Sequence, residues 1–330
     1  MKHSPFQKTF KLFWILTAVT IAVRFWLQFT QIDHTSGFYN ATALGRGCQL
    51  GFNALLAVCA LLIWLSVRRH GKDFSAERKP FGREFFIGLI VMGFTAELSY
   101  LYTFLTEFSD LFHGHGLYLP SALPAIIFVV GGILLLYQGL LGISGKQENI
   151  DLLSASILSL WGAAALVCTY LGYTVVYHVS DNMLHILAIA SMAFFLTMCL
   201  KYMMGVDPEV SGRRAMHYGL FTGYFSLALV VPRLVVLAVY GGQESLPAPK
   251  FYSLIFVLVV AAVALIACYT IALPVRPGQG AGLLVFLPRA KAAAAQPDAA
   301  AQPAPEEPSP AAPEEPAPAQ EPAEEKPAQQ

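Results

Sequence analysis

Residues 251–275 read FYSLIFVLVVAAVALIACYTIALPV, twenty-five positions without one Asp, Glu, Lys, Arg or His. A bilayer's hydrocarbon core is about 30 Å thick and takes about 20 apolar residues to cross as a helix. The run is continuous, without the alternation of a barrel strand, so it predicts a transmembrane α-helix. Seven further runs of the same kind precede it, at about 10–31, 46–67, 84–106, 119–142, 152–176, 181–203 and 215–240. The fold class expected is all-α: a polytopic membrane helix bundle of about eight transmembrane helices, whose principal partner is the lipid bilayer.

Composition agrees. Of the 330 residues 56% are hydrophobic and 13% charged, where a soluble domain carries about 25% charged residues. The formal net charge of zero divides into +5 over residues 1–288 and −5 over 289–330. The first segment is the bundle. The second is Ala, Pro, Glu and Gln, with Pro305-Glu306-Glu307-Pro308 echoed at Pro313-Glu314-Glu315-Pro316. It has nothing to bury against the entropy of ordering, so a disordered tail is expected, acting as a solvated tether or as a docking site for a cytoplasmic partner.

Basic residues set the orientation. Threading the chain through eight spans puts 17 of the 21 Lys and Arg on one side, including six in the 68–83 loop, and only Arg46 and Lys250 on the other. Both termini are therefore expected in the cytoplasm. Lys2, Lys8 and Lys11 before the first run resemble the start of a signal peptide, and Ala41-Thr42-Ala43 a cleavage site. Arg24 interrupts that run, however, and Ala43 lies far beyond its core, so a retained anchor is expected. The outer connections, at 32–45, 107–118, 177–180 and 241–250, are too short to hold a folded enzyme domain. No internal repeat of the kind many transporters carry is legible.

Three charges remain inside spans: Arg24, Glu97 and Arg233. Each costs at least about 2.5–3.5 kcal/mol at the bilayer centre unless paired or hydrated. At about 1.5 Å per residue, Arg24 and Glu97 both lie roughly 20 Å from the cytoplasmic face. Arg233 lies somewhat further out, after Pro232. Gln28 is one helical turn beyond Arg24 on the same face. Asp33 follows the first span, and His185 lies near the outer end of the sixth, four residues after Asp181. The expectation is an outer-leaflet polar cluster of Arg24, Gln28, Asp33, Glu97, His185 and Arg233, with Arg24 paired to Glu97. Either these residues only brace the bundle, or they line an outward-facing cavity for a small solute or ion.

Catalytic and cofactor signals are sparse. Asp110-x-x-His113-x-His115 has the residue types of a zinc site, but the spacing is short and no fourth ligand is evident. His185 and His217 sit at opposite depths, which disfavours haem between them. The five cysteines, Cys48, Cys59, Cys168, Cys199 and Cys268, lie in or beside apolar runs without metal-ligand spacing and read as small buried side chains. No Gly-x-Ser-x-Gly, His-Glu-x-x-His or P-loop occurs, and Gly278-x-Gly280-x-Gly282 follows no strand. No cofactor and no nucleic acid are expected, and catalysis is disfavoured. Gly47-x-x-x-Gly51 and Gly219-x-x-x-Gly223 allow close helix packing, expected within the monomer. Asn40-Ala41-Thr42 is an outer-side glycosylation sequon.

Residues 24–38, Arg-Phe-Trp-Leu-Gln-Phe-Thr-Gln-Ile-Asp-His-Thr-Ser-Gly-Phe, carry an Arg and a Gln late in the first span. A motif Asp-x-Thr/Ser-Ser/Thr-Gly before an aromatic residue follows. This resembles a group of multi-pass membrane proteins of clostridial gut bacteria that have no established activity. The resemblance implies a bacterial cytoplasmic membrane, which makes the sequon irrelevant, and it implies no function. The Asp33–Gly37 segment suits a turn that sets the first outer loop over Arg24 and Gln28. Small-solute transport or ligand sensing is the leading function class, a non-catalytic scaffold or assembly protein the next, and an intramembrane enzyme the third.

Overall fold

The computed structural model describes residues 5–33, 38–70, 81–113, 119–144, 152–173, 180–240 and 251–272. These form eight helices: α1 (Pro5–Thr30), α2 (Ala43–His70), α3 (Arg83–Phe112), α4 (Leu119–Ile143), α5 (Leu152–Tyr173), α6 (Ser180–Met203), α7 (Pro208–Tyr240) and α8 (Phe251–Ala272). Each coincides with one expected span to within a few residues, except that α1 and α7 begin more than a turn earlier and α3 ends more than a turn later. Seven are long and apolar enough to cross a membrane. The eighth, α5, has a shorter described apolar stretch, Ser156–Leu171. The chain is a multi-pass integral membrane protein. Helices are the form such runs must take, because lipid offers no hydrogen bonds and a helix satisfies its own backbone. The expected tail, 289–330, lies outside the described residues.

Helices α6, α7 and α8 bury a larger share of their residues than the others do. Around them α7 packs on α8, α8 on α3, α3 on α4, α4 on α5, α5 on α6 and α6 back on α7, while α1 and α2 pack on each other and on α7. The α2 pattern shows how a membrane helix sorts its faces. Phe52, Leu56, Cys59, Ile63 and Val67 recur at helical spacing and are buried, while Leu50, Val58, Leu61 and Leu65 are exposed for lipid to cover.

Small residues set the closest approaches. A Cβ on Gly93 of α3 would stand 2.7 Å from the carbonyl oxygen of Gly132 on α4, and one on Gly139 would stand 2.9 Å from that of Phe86. The α3–α4 contact is therefore backbone against backbone. Gly219 and Gly223 likewise let α7 meet Cys268 and Leu265 of α8 within the monomer. Gly47 and Gly51 do not conform. A Cβ on either would meet nothing within 4 Å among the described residues, so the close packing expected at this pair is not found there. Their face of α2 points away from the one that carries Phe52 and Leu56.

The α6–α7 connection is short and closed by backbone. Gly205 takes φ 75°, the left-handed cap that a helix C-terminus favours, and the N–H groups of Met204, Gly205 and Val206 donate to Leu200, Tyr202 and Lys201. At the opposite end of the bundle, the loop after α1 folds back as a narrow hairpin. Asp33 N–H donates to Phe38 at 2.9 Å and Asn40 N–H to Gln31 at 2.8 Å, and Ile32 bridges Tyr39. Residues 34–37 lie outside the described residues.

Candidate functional site

The hairpin brings Tyr39 over the last turns of α1, and there the charges meet. Arg24 is the largest fully buried side chain in the protein's described core. Its Nη2 pairs with Oδ1 of Asp181, in the first turn of α6. Its Nη1 donates to the Tyr39 hydroxyl at 3.1 Å, and the guanidinium carbon lies 5.1 Å from the centre of the Phe52 ring on α2. One turn along, Gln28 donates from Nε2 to the same Asp181 oxygen at 3.1 Å. From α7, Arg233 Nη1 stands 3.4 Å from Asp181 Oδ2. One carboxylate thus takes two arginines and an amide from two helices, and it sits where the α6 N-terminus adds favourable dipole.

The arrangement follows from the chain's periodicity. Arg24 and Gln28 are four apart, so both project from one face of α1. Pro232 removes a backbone donor one residue before Arg233, in a helix that otherwise runs unbroken from Pro208 to Tyr240. Arg24, Gln28, Asp181, Asn182, His185 and Arg233 are all buried, none more than 4% exposed. His185 Nε2 lies 3.4 Å from Ser253 Oγ, which extends the polar layer from α6 to α8. Beneath it Thr20 Oγ1 and the Tyr224 hydroxyl are 2.9 Å apart, joining α1 to α7.

Four of the six residues expected in the cluster, Arg24, Gln28, His185 and Arg233, gather around Asp181. Two do not. Asp33 is exposed in the hairpin. Glu97 is elsewhere: it projects from α3 toward α4, where a Cβ on Gly132 would stand 2.5 Å from its Oε1. The expected Arg24–Glu97 pair gives way to Arg24–Asp181, because α1 packs on α2 and α7 while α3 packs on α4 and α8. Matched depth brought the two charges to one level but on different flanks of the bundle. Asp181 is the residue sequence reasoning undervalued. As the first acid of the sixth span it lies at the outer end, level with the last turns of the first and seventh.

Of the Asp110–His113–His115 set, only the His113 side chain is described. It is exposed, with Nδ1 2.7 Å from the Ser109 carbonyl of its own helix. The Asp110 side chain and His115 lie outside the described residues, and no group of three potential metal ligands occurs among those described. The cysteines are unbridged, four of them buried and Cys48 half-buried.

Chemically the cluster is a buried charge centre. The guanidinium groups of Arg24 and Arg233 close on the Asp181 carboxylate beside the neutral side chains of Tyr39 and Gln28. Such a centre suits the binding or exchange of an anion, or the locking of three helices. No family model matches the chain, and no curated protein or solved structure matches it.

Proposed function

We propose that this membrane protein binds a small anionic solute at the outer end of its bundle, as a transporter or a ligand sensor. The observation that carries the reading is the shared carboxylate: two buried arginines from α1 and α7 close on one acid of α6. A carboxylate or other monoanion offers a guanidinium the same kind of charge-assisted hydrogen bonds that Asp181 does. Competing with Asp181 for Arg233, the longer of the two contacts, such an anion would loosen α7 from α6. That gives the solute differential affinity for two arrangements of the bundle, which both transport and signalling require. The location proposed is a bacterial cytoplasmic membrane, in line with the resemblance of residues 24–38, with the cluster facing outward.

The test is thermal unfolding of the detergent-purified protein in titrations of chloride, acetate, phosphate and amino acids. A binding anion should raise the melting temperature with the logarithm of its concentration above its dissociation constant, by about 2.7 kcal/mol of added stability at a hundred times that constant. Arg233→Gln should abolish the increment. A response that persists in Arg233→Gln, or none to any of these anions, sinks the proposal.

The near-complete burial of the cluster favours a second reading, a scaffold in which Asp181 only cross-braces α1, α6 and α7. That reading predicts a melting temperature indifferent to every anion at constant ionic strength.

A further inference from the structure

A second ionisable site lies away from the arginine cluster. Glu97 sits in α3 with Phe94, Leu98 and Leu101 flanking it on the helix, and these are 60%, 52% and 41% exposed on a surface that faces lipid. Its own side chain is half-buried in the α3–α4 groove. Two consecutive glycines of α4 make the room. A Cβ at Gly132 would strike Glu97 Oε1, and one at Gly131 would strike the Trp161 indole of α5. A backbone N–H of α4, at Ile133, is within the carboxyl's reach, yet Oε1 is buried and completes no hydrogen bond among the described residues.

No countercharge faces it. The described helices packed on α3 are α4 and α8, and neither contains an Asp, Glu, Lys, Arg or His. The same holds for α5, which packs on the far side of α4. The titratable groups these helices supply are Tyr and Cys, among them Tyr137 and Cys168. On α3 itself Tyr100 stacks on Phe128, with ring centres 4.0 Å apart. Arg83 and Glu84 are at the inner end of the helix, and Glu107 and Asp110 lie beyond Tyr100 toward the outer end. An ionised carboxylate here has one backbone N–H within reach and no countercharge among the described residues to offset its desolvation, whereas a protonated carboxyl carries no charge to desolvate. A metal cation would need several oxygen ligands in place of this single carboxyl.

We infer that Glu97 is a proton-binding site, a neutral carboxyl held in the α3–α4 groove at the edge of the lipid-facing surface and reactive toward apolar carbodiimides. The reaction is balanced without a further reagent. The carboxyl proton passes to one carbodiimide nitrogen as the carboxyl oxygen bonds to the central carbon, and the O-acylisourea then rearranges by acyl transfer to the stable N-acylurea. This inference stands on observations separate from the anion proposal and survives its failure.

The experiment uses the full-length protein in lipid nanodiscs at pH 7. Dicyclohexylcarbodiimide should form an adduct that mass spectrometry places on Glu97, and a charged, water-soluble carbodiimide should not. Infrared spectra should contain a protonated-carboxyl C=O band that shifts in deuterium oxide and is missing in Glu97→Gln. That variant is isosteric with the neutral acid and should melt within about 2 °C of wild type. Absence of the band, labelling confined to other carboxyls, or unfolding of Glu97→Gln would each overturn the inference.

Discussion

Arg24 of α1 and Asp181 of α6, 157 residues apart in the chain, form a buried ion pair at one end of the helix bundle. Neither charge belongs in a membrane alone. Together they place a hydrogen-bonded link between two helices that have few other reasons to meet, since α1 packs chiefly on α2 and α7. Arg233 and Gln28 then complete the carboxylate's acceptor sites. Breaking one side of such a pair is more costly than never having it, because the survivor is left as an uncompensated buried charge.

Asp181→Asn should therefore be among the most damaging single substitutions. It removes the carboxylate on which Arg24 and Arg233 both close, a loss of about 3–5 kcal/mol. The double variant Arg24→Gln with Asp181→Asn should be more stable than the two single losses added together. Thermal unfolding in detergent measures all three. Strict additivity would mean that the pair contributes nothing as a pair.

The glycines supply an internal comparison. Gly93→Ala and Gly139→Ala put a methyl within 3 Å of a backbone carbonyl oxygen across the α3–α4 seam, and no side-chain rotation relieves that contact. Each should destabilise by about 1–3 kcal/mol as overpacking does. Gly51→Ala, on the open face of α2, should be neutral or slightly stabilising, since Ala is the better helix former. Equal effects at Gly93 and Gly51 would mean that α2 is as closely packed as α3. Melting temperatures of the three variants decide it.

The eight helices were legible because each is a continuous apolar run, and the membrane demands little else of a span. Which helices touch was not legible. Depth along the membrane normal follows from counting residues, which puts Arg24, Gln28, His185 and Arg233 together in the outer half of the membrane. Azimuth depends on packing, which residue spacing does not encode across separate helices, so Glu97 was assigned to the wrong flank. Asp181 was visible at the right depth, but as a terminal residue of its span it read as interfacial. The exposed Gly47 and Gly51 make the same point in reverse: a small-x-x-x-small pattern permits close packing without saying against what.

Removing residues 292–330 should leave the bundle unchanged. The segment carries no aliphatic or aromatic side chain other than Ala, so it has nothing with which to pack. The truncated protein should elute as a single species in detergent and melt within about 2 °C of full length. A larger drop would show that the tail docks on the bundle.

Orientation is the last quantity open to direct test, and the proposed function depends on it. Helices alternate direction through the bundle, so the ends of α1, α3, α5 and α7 lie on one side. That side holds Tyr39, Asp181 and the last turns carrying Gln28 and Arg233. The loop charges of the sequence are lopsided: by the expected threading only Arg46 and Lys250 fall on that side outside the spans, against 17 Lys and Arg on the other. Positive charge is retained in the cytoplasm during insertion, so the arginine cluster is predicted at the outer face. A reporter active only in the cytoplasm should therefore work when fused after residue 290 or within 71–80, and fail when inserted in 34–37. Single cysteines at those positions, in a background with the native five replaced, should show the matching pattern toward an impermeant maleimide. Labelling of 71–80 from outside intact cells would invert the bundle. An anion bound at Arg233 would then come from the cytoplasm, and uptake or sensing of an external solute at this site would be excluded.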